Sequence, residues 1–118
     1  MQFLDTITIF NKVGESYHKH TITGVYWYGS YGLSLSGKGV VHSDEISIFI
    51  PKEKMANYSE QYKEGSFTLR KGDRIVKGIA EDITSINELS KYQNVITIIS
   101  FDINIVGSDL DNILIKGK

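Results

Sequence analysis

The sequence predicts an all-β domain with one short helix, built as a small six- to seven-stranded β-barrel or a compact sandwich. Three observations carry this. Short runs alternate apolar and polar residues and are rich in Ile, Val and Thr. Gly, Asn and Asp separate those runs. Almost nothing between them is long enough to be the crossover helix of a parallel sheet. With 118 residues, 41% of them apolar and 23% charged, the chain is expected to be one globular domain over residues 1–118.

The elements follow in order. Residues 4–13 form a first strand, with Ile7 and Ile9 on one face and Thr6, Thr8 and Phe10 on the other. Residues 17–28 form a second, in which Gly24 marks a bulge or a close backbone approach. Residues 44–50 place Ile46, Ile48 and Ile50 on one side, and Pro51 stops that strand because it has no N–H to donate. Phe67 and Leu69 lie in a short fourth strand, and residues 74–79 form a fifth after the Gly72-Asp73 turn. Ser85 and Glu88 have the spacing of a capping box, which opens a helix of one or two turns. Residues 95–106 make a long strand in which the buried parity changes. Ile96 and Ile98 share one face, whereas Ile99, Phe101, Ile103 and Ile105 share the other, so either a bulge or a strand that serves two sheet faces is expected. Residues 113–115 close the domain.

One stretch stands apart. Residues 29–43, GSYGLSLSGKGVVHS, are rich in Gly and Ser and are expected to form a long projecting loop or, alternatively, a hairpin with Leu33 and Leu35 alternating along one arm.

Composition excludes several functions. The net charge is −1, so there is no general excess of cations to neutralise nucleic-acid phosphates. Without Cys, disulfides and thiolate metal sites are impossible. The opening Met-Gln-Phe-Leu-Asp lacks the basic and apolar regions of a signal peptide, and no apolar run is long enough for a membrane-spanning helix. Cytoplasmic folding is expected, and the sequon at Asn57 is then without meaning.

The near-motifs for chemistry fail on particular residues. Gly32 to Gly39 reads GLSLSGKG, but Gly39 stands where a P-loop needs Ser or Thr for magnesium, and a strand follows where a helix should. His18 and His20 share a strand face and could begin a metal site, with His42 or a carboxylate completing it; the simpler reading is two exposed strand histidines. The pairs Asp109 with Asp111 and Glu81 with Asp82 sit by turns, where Asp commonly caps backbone groups. There is no G-x-S-x-G elbow. No catalytic residue, metal site or cofactor is therefore assigned. The run Tyr26-Trp27-Tyr28 cannot form one stacking platform, because neighbours in a strand face opposite sides. Either Trp27 or the two tyrosines pack inward, and outward Tyr26 and Tyr28 would suit a protein interface.

A resemblance adds to this reading. The chain begins Asp5-Thr6-Ile7-Thr8-Ile9-Phe10, carries Ile48-Phe49-Ile50-Pro51-Lys52, then Lys71-Gly72-Asp73-Arg74-Ile75-Val76-Lys77-Gly78, and ends Gly107-Ser108-Asp109-Leu110-Asp111-Asn112-Ile113-Leu114-Ile115-Lys116-Gly117-Lys118. This order resembles the head-closure (stopper) and related head–tail connector proteins of tailed bacteriophages. The resemblance implies a barrel subunit, not an enzyme, that assembles with copies of itself into a ring of the virion neck. It implies a portal or adaptor ring on one side and tail-tube or tail-terminator proteins on the other. DNA would pass through the channel without sequence-specific binding, and no membrane would be involved. Residues 29–43 take the place of the family's projecting loop, which makes Tyr31, Leu33, Leu35, Lys38, Val40 and Val41 the expected contact residues. The alternatives are a tail-completion or tail-terminator ring protein, or a stand-alone binding module of OB or SH3-like type.

Overall fold

The computed structural model describes residues 4–36, 39–107 and 110–118, with the backbone alone over residues 30–36 and 39–44. Six strands form a closed barrel: β1 (Asp5–Val13), β2 (Ser16–Ser36), β3 (Gly39–Pro51), β4 (Arg74–Lys77), β5 (Val95–Asn104) and β6 (Asn112–Gly117). Their order around the barrel is β1-β2-β3-β6-β5-β4, and every neighbouring pair is antiparallel. Short 3-10 turns follow β3 (Lys52–Lys54) and precede β5 (Ile86–Lys91).

The barrel interior is filled largely by isoleucine. Ile7, Ile9, Ile48, Ile50, Ile75, Ile98, Ile113 and Ile115 are all essentially inaccessible and pack with Ile22, Val25 and Ile96. β-branched side chains suit a pleated wall, and burying each contributes about 1.5–3 kcal/mol. Two bulges keep the inward parity. Asp5 pairs with Val25 and Thr6 with Thr23, so Gly24 is the extra residue on β2, at a φ of 92° that favours glycine. The bulge allows both Ile22 and Val25 to point inward. On β5, Ile98 pairs with Gly117 and Ser100 with Lys116. Ile99 is the extra residue and turns outward, at 44% exposed, and Phe101 and Ile103 then pack against the core.

The barrel has two unlike ends. β1, β3 and β5 run toward one end; there lie the turn between β1 and β2, the 3-10 turn after Pro51, and the β5–β6 connection. Toward the other run β2, β4 and β6, and there lie the distal part of the β2–β3 hairpin and the beginning and end of the chain. The expected fourth strand at Phe67 and Leu69 does not form. Residues 55–73 instead cross the mouth of the first end as a cap, with one isolated bridge between Tyr58 and Phe67. Phe67 and Leu69 are buried, as plugs dropped into the barrel rather than as part of its wall.

Asn11 holds this cap. β4 begins at Arg74, opposite Phe10, so β1 continues past its partner. At that point the Asn11 amide takes over from the ladder. Its Nδ2 donates to the Thr68 carbonyl at 2.6 Å and its Oδ1 accepts the Thr68 N–H at 3.0 Å. Nδ2 also donates to Asp73 at 3.1 Å, and the second Asp73 oxygen accepts the Lys12 N–H at 3.4 Å. Burial pushes the Asp73 carboxyl above the usual aspartate range, and this outweighs the opposing pull of Asn11, Lys12, Arg70 and Arg74.

A second, smaller core lies outside the wall. Phe10 and Val76 point outward and are covered by Ala80, Ile83 and Leu89 from residues 78–92. The capping box is present as expected: Glu88 accepts the Ser85 N–H at 2.8 Å, and the Ser85 hydroxyl accepts from Asn87. The helix it opens is a 3-10 turn.

Two substitutions test this architecture. Asn11→Ala leaves both Thr68 backbone groups and one Asp73 oxygen without partners; at roughly 1–3 kcal/mol for each buried group, it should be among the most damaging single changes in urea unfolding. A Cβ on Gly117 would lie 2.6 Å from the Thr97 carbonyl and 2.7 Å from Ile96 Cδ1. Gly117→Ala should cost about 1–3 kcal/mol, read the same way, whereas Lys116→Ala beside it should cost little.

Candidate functional site

The part of the fold that is not needed to close the barrel is the outer length of the β2–β3 hairpin. β1 accompanies β2 only as far as Val25, and β6 accompanies β3 only from Ile46. Among the described residues, beyond Gly29 and Ile46 the two strands pair with each other alone, from Ser30 opposite Glu45 to Ser36 opposite Gly39. Seven pairs at about 3.4 Å each make a free ribbon of about 24 Å. The Cα radius of gyration is 15.2 Å, against about 13.5 Å for a compact chain of this length, as a projecting arm requires. Of the two forms expected for residues 29–43, the hairpin is the one found.

Its root is built by three successive residues. The Trp27 N–H donates to the Asp5 carboxylate at 2.8 Å, which fixes β2 where it parts from β1. The Trp27 ring packs inward against the core, and its neighbours face out. Tyr26 and Tyr28 stack on the outer surface with ring centroids 4.9 Å apart, and Tyr26 is 39% exposed. Of the two sequence readings of this run, inward Trp27 with outward tyrosines is correct.

The other expected contact residues fall on the ribbon. Tyr31, Leu33 and Leu35 occupy one parity of β2, and the register sets Val40 across from Leu35 and Val41 across from Ser34. Lys38 lies outside the described residues, as does Asp109. The ribbon has an open edge on each side. Two-stranded ribbons are marginal in water alone, and open edges are templates for further pairing.

The opposite end has a feature that the sequence reading missed. The long strand stops at Asn104, two residues earlier than expected, and the chain turns outward. Ile105, Val106 and Leu110 are 66%, 75% and 78% exposed. Asp111 holds this connection, its Oδ1 accepting the Val106 N–H at 2.8 Å and the Gly107 N–H at 3.1 Å. Beside it is a groove of about 560 Å³ lined by Lys52, Glu53, Met55, Ala56, Ile105 and Asp111. Alternation through residue 106 imitates a strand; the only signal of the turn is Asp111, placed to accept backbone donors after Gly107.

The remaining polar candidates are accounted for by structure. Lys19 lies between the two strand histidines and reaches the outer surface, bonding the Ala80 carbonyl at 3.2 Å and facing Asp82 at 3.8 Å. Glu81 pairs with Lys91 at 3.2 Å. His18 and His20 are not exposed strand residues. They are half-buried under the cap, against Tyr62 and Phe67. Among the described residues no three His, Asp or Glu side chains come together in a way that could hold a metal ion. None of the described helical turns is long and apolar enough to cross a membrane.

The molecule is thus a small closed antiparallel barrel that sends a two-stranded ribbon from one end and presents an apolar connection at the other. The chain belongs to a family of unknown function, DUF6751, whose model matches residues 3–118. No curated protein and no solved structure matches it significantly.

Asp111→Ala should free the Val106 and Gly107 donors and loosen the β5–β6 connection without opening the barrel. The expected loss is about 1–2 kcal/mol in denaturant. Faster hydrogen exchange should be confined to residues 105–111, while Ile113 and Ile115 stay protected.

Proposed function

We propose that this protein is a structural subunit of a tailed-bacteriophage virion, a head-closure or connector protein that forms a ring of identical copies at the head–tail interface. The observation that carries the reading is the free β2–β3 ribbon, which leaves a barrel already closed without it. A ring needs a heterologous interface, in which a surface on one copy meets a different surface on the next. The ribbon beyond Gly29 and Ile46 supplies one surface that closure of the barrel does not use, and the outward Tyr26 and Tyr28 rings at its root extend it. The order of short motifs, above all the terminal stretch from Gly107 to Lys118, resembles those proteins as well.

In this reading the subunit works by contact rather than by chemistry. Its partners are copies of itself, a portal or adaptor ring on one side, and tail-tube or tail-terminator proteins on the other. The two unlike ends suit two different neighbours along one axis. DNA in the channel would meet scattered lining charges and be bound without regard to sequence. The protein would fold in the cytoplasm of the bacterial host and end in the virion.

The test is to replace residues 31–43 by an Asn-Gly turn. The barrel should keep its Tm to within about 4 °C, the shift that about 1 kcal/mol produces in a domain of this size. Phage carrying the shortened chain should yield filled or leaking heads and free tails that do not join, as seen by electron microscopy. Particles that join normally with the shortened chain, or purified virions that lack the protein altogether, would rule the reading out.

A further inference from the structure

The cap over the barrel mouth is attached differently from everything around it. The walls are held by continuous ladders. Residues 55–69 have no ladder to the barrel; they are held by the Asn11 amide, by the burial of Phe67 and Leu69, and by bonds within the segment. Those internal bonds are local: Tyr58 N–H to Met55, Ser59 N–H to Phe67, Phe67 N–H to Asn57, the Thr68 hydroxyl to Glu60, and a Lys63–Ser66 turn in which the Ser66 N–H and hydroxyl donate to the Lys63 carbonyl and the Lys63 N–H donates to the Ser66 hydroxyl. Segments with few ladder bonds open at lower free energy than the core around them.

Two histidines lie at the seam. His20 is paired with Ile9 and His18 with Asn11, on the strand face that looks into the mouth. The His20 ring sits 5.1 Å from the ring of Phe67, which is itself inaccessible to solvent. The His18 ring stacks on Tyr62 at 4.6 Å. Both partners belong to the cap. Thus each histidine couples the wall to the lid through an aromatic face, and one of those faces is fully desolvated.

We propose that residues 55–69 are a cap released by acid, with His20 as its latch and His18 as a secondary contact. The neutral imidazole packs on Phe67 as an apolar ring. The imidazolium needs water, which it gains only if the cap lifts. Burial already holds the His20 ring below the usual histidine range, in the direction this requires. A histidine whose folded form resists protonation stabilises the closed state at neutral pH, and that stabilisation is lost as pH falls through the ordinary histidine range and below.

The surrounding charges do not cancel this. Glu53 and Lys54 line the groove beside His20 and offer opposite signs. From the cap come Tyr58, Tyr62 and Glu60; burial raises the Tyr58 hydroxyl and Glu60 adds to this, so Tyr58 stays neutral in this range. On β1, Asn11 is neutral and leads to Asp73, and Lys19 on β2 is turned to the outer surface. Asp73 acts with the opposite sign. Its carboxyl is raised, so protonating it as pH falls favours the closed form, and it cannot imitate the histidine effect.

Hydrogen exchange on the full chain between pH 7.5 and pH 5, corrected for intrinsic rates, reads the cap directly. The opening population at Tyr58, Ser59, Phe67 and Thr68 should rise by up to about tenfold per pH unit once His20 begins to titrate. Protection at Ile9, Ile48 and Ile115 should stay unchanged. In His20→Phe, which keeps a ring on Phe67, the cap should lose most of its pH dependence. A flat profile in the native chain, an unaltered profile in His20→Phe, or an equal rise throughout the barrel would each overturn the proposal. If His20→Phe does not fold, the His20 ring titration by NMR in the native chain decides. Its midpoint should coincide with the onset of cap opening, and a separation of more than one pH unit overturns the latch.

Discussion

The structure depends on one side-chain amide standing in for a missing strand. A six-stranded barrel in which β4 has only four residues leaves β1 without a partner on its β4 side beyond Phe10 and leaves one mouth open onto an isoleucine interior. Asn11 resolves both problems. A carboxamide presents an acceptor and a syn N–H donor side by side, as a strand residue presents its own C=O and N–H, so it can pair with the backbone of Thr68 as a strand residue would. That pairing fixes Thr68, and Thr68 fixes the side chains on either side of it. Phe67 and Leu69 then enter the barrel and complete its core. An apolar residue at position 11 would serve the interior equally well by burial alone. It would leave two buried peptide groups without partners, and that cost outweighs the burial gained.

The two bulges do for the wall what Asn11 does for the mouth. An uninterrupted strand has a fixed parity, and a strand that passes from one part of a curved wall to another must change it. β2 makes this change at Gly24 and β5 at Ile99. At Gly24 the cost of positive φ is avoided because glycine has no Cβ. At Ile99 one apolar side chain is surrendered to solvent so that Phe101 and Ile103 can pack. After Val25, β2 is free of the β1 ladder and follows β3 instead. The ribbon is the continuation of that second partnership past the point where β6 ends.

The wall was largely legible in the sequence. Ile46, Ile48 and Ile50 announce their strand by period two, and the phase change between Ile98 and Ile99 left a bulge or a strand serving two faces, of which the bulge is found. Gly24 and the Ser85–Glu88 capping box are also local signals, since each is set by residues within a few positions. What was not legible depends on distant partners. Phe67 and Leu69 have strand spacing, yet no strand lies beside them; Asn11, 57 residues away in sequence, decides their conformation. His18 and His20, with Lys19 between them, read as a wet edge until the cap is placed above them. The extent of the hairpin was ambiguous for a different reason. Gly and Ser along residues 29–43 satisfy a loop and a narrow ribbon equally well, and only the pairing distinguishes them.

The two ends differ in the kind of contact they can make. A β-ribbon with open edges can offer main-chain donors and acceptors at fixed intervals, which select the register of a neighbour and depend little on side-chain identity. Ile105, Val106 and Leu110 offer the reverse: exposed apolar side chains, on a connection held by Asp111 at Val106 and Gly107 and by the Asn112 amide at the Leu110 carbonyl. Contacts of the first kind impose geometry, and contacts of the second supply affinity once geometry is set. A subunit proposed to sit between two different neighbours in a stack needs both, and it gains from keeping them apart. The separation follows from strand direction alone. β2 and β3 must meet at the end opposite the β5–β6 connection, because β5 runs parallel to β3 within this order of six antiparallel strands.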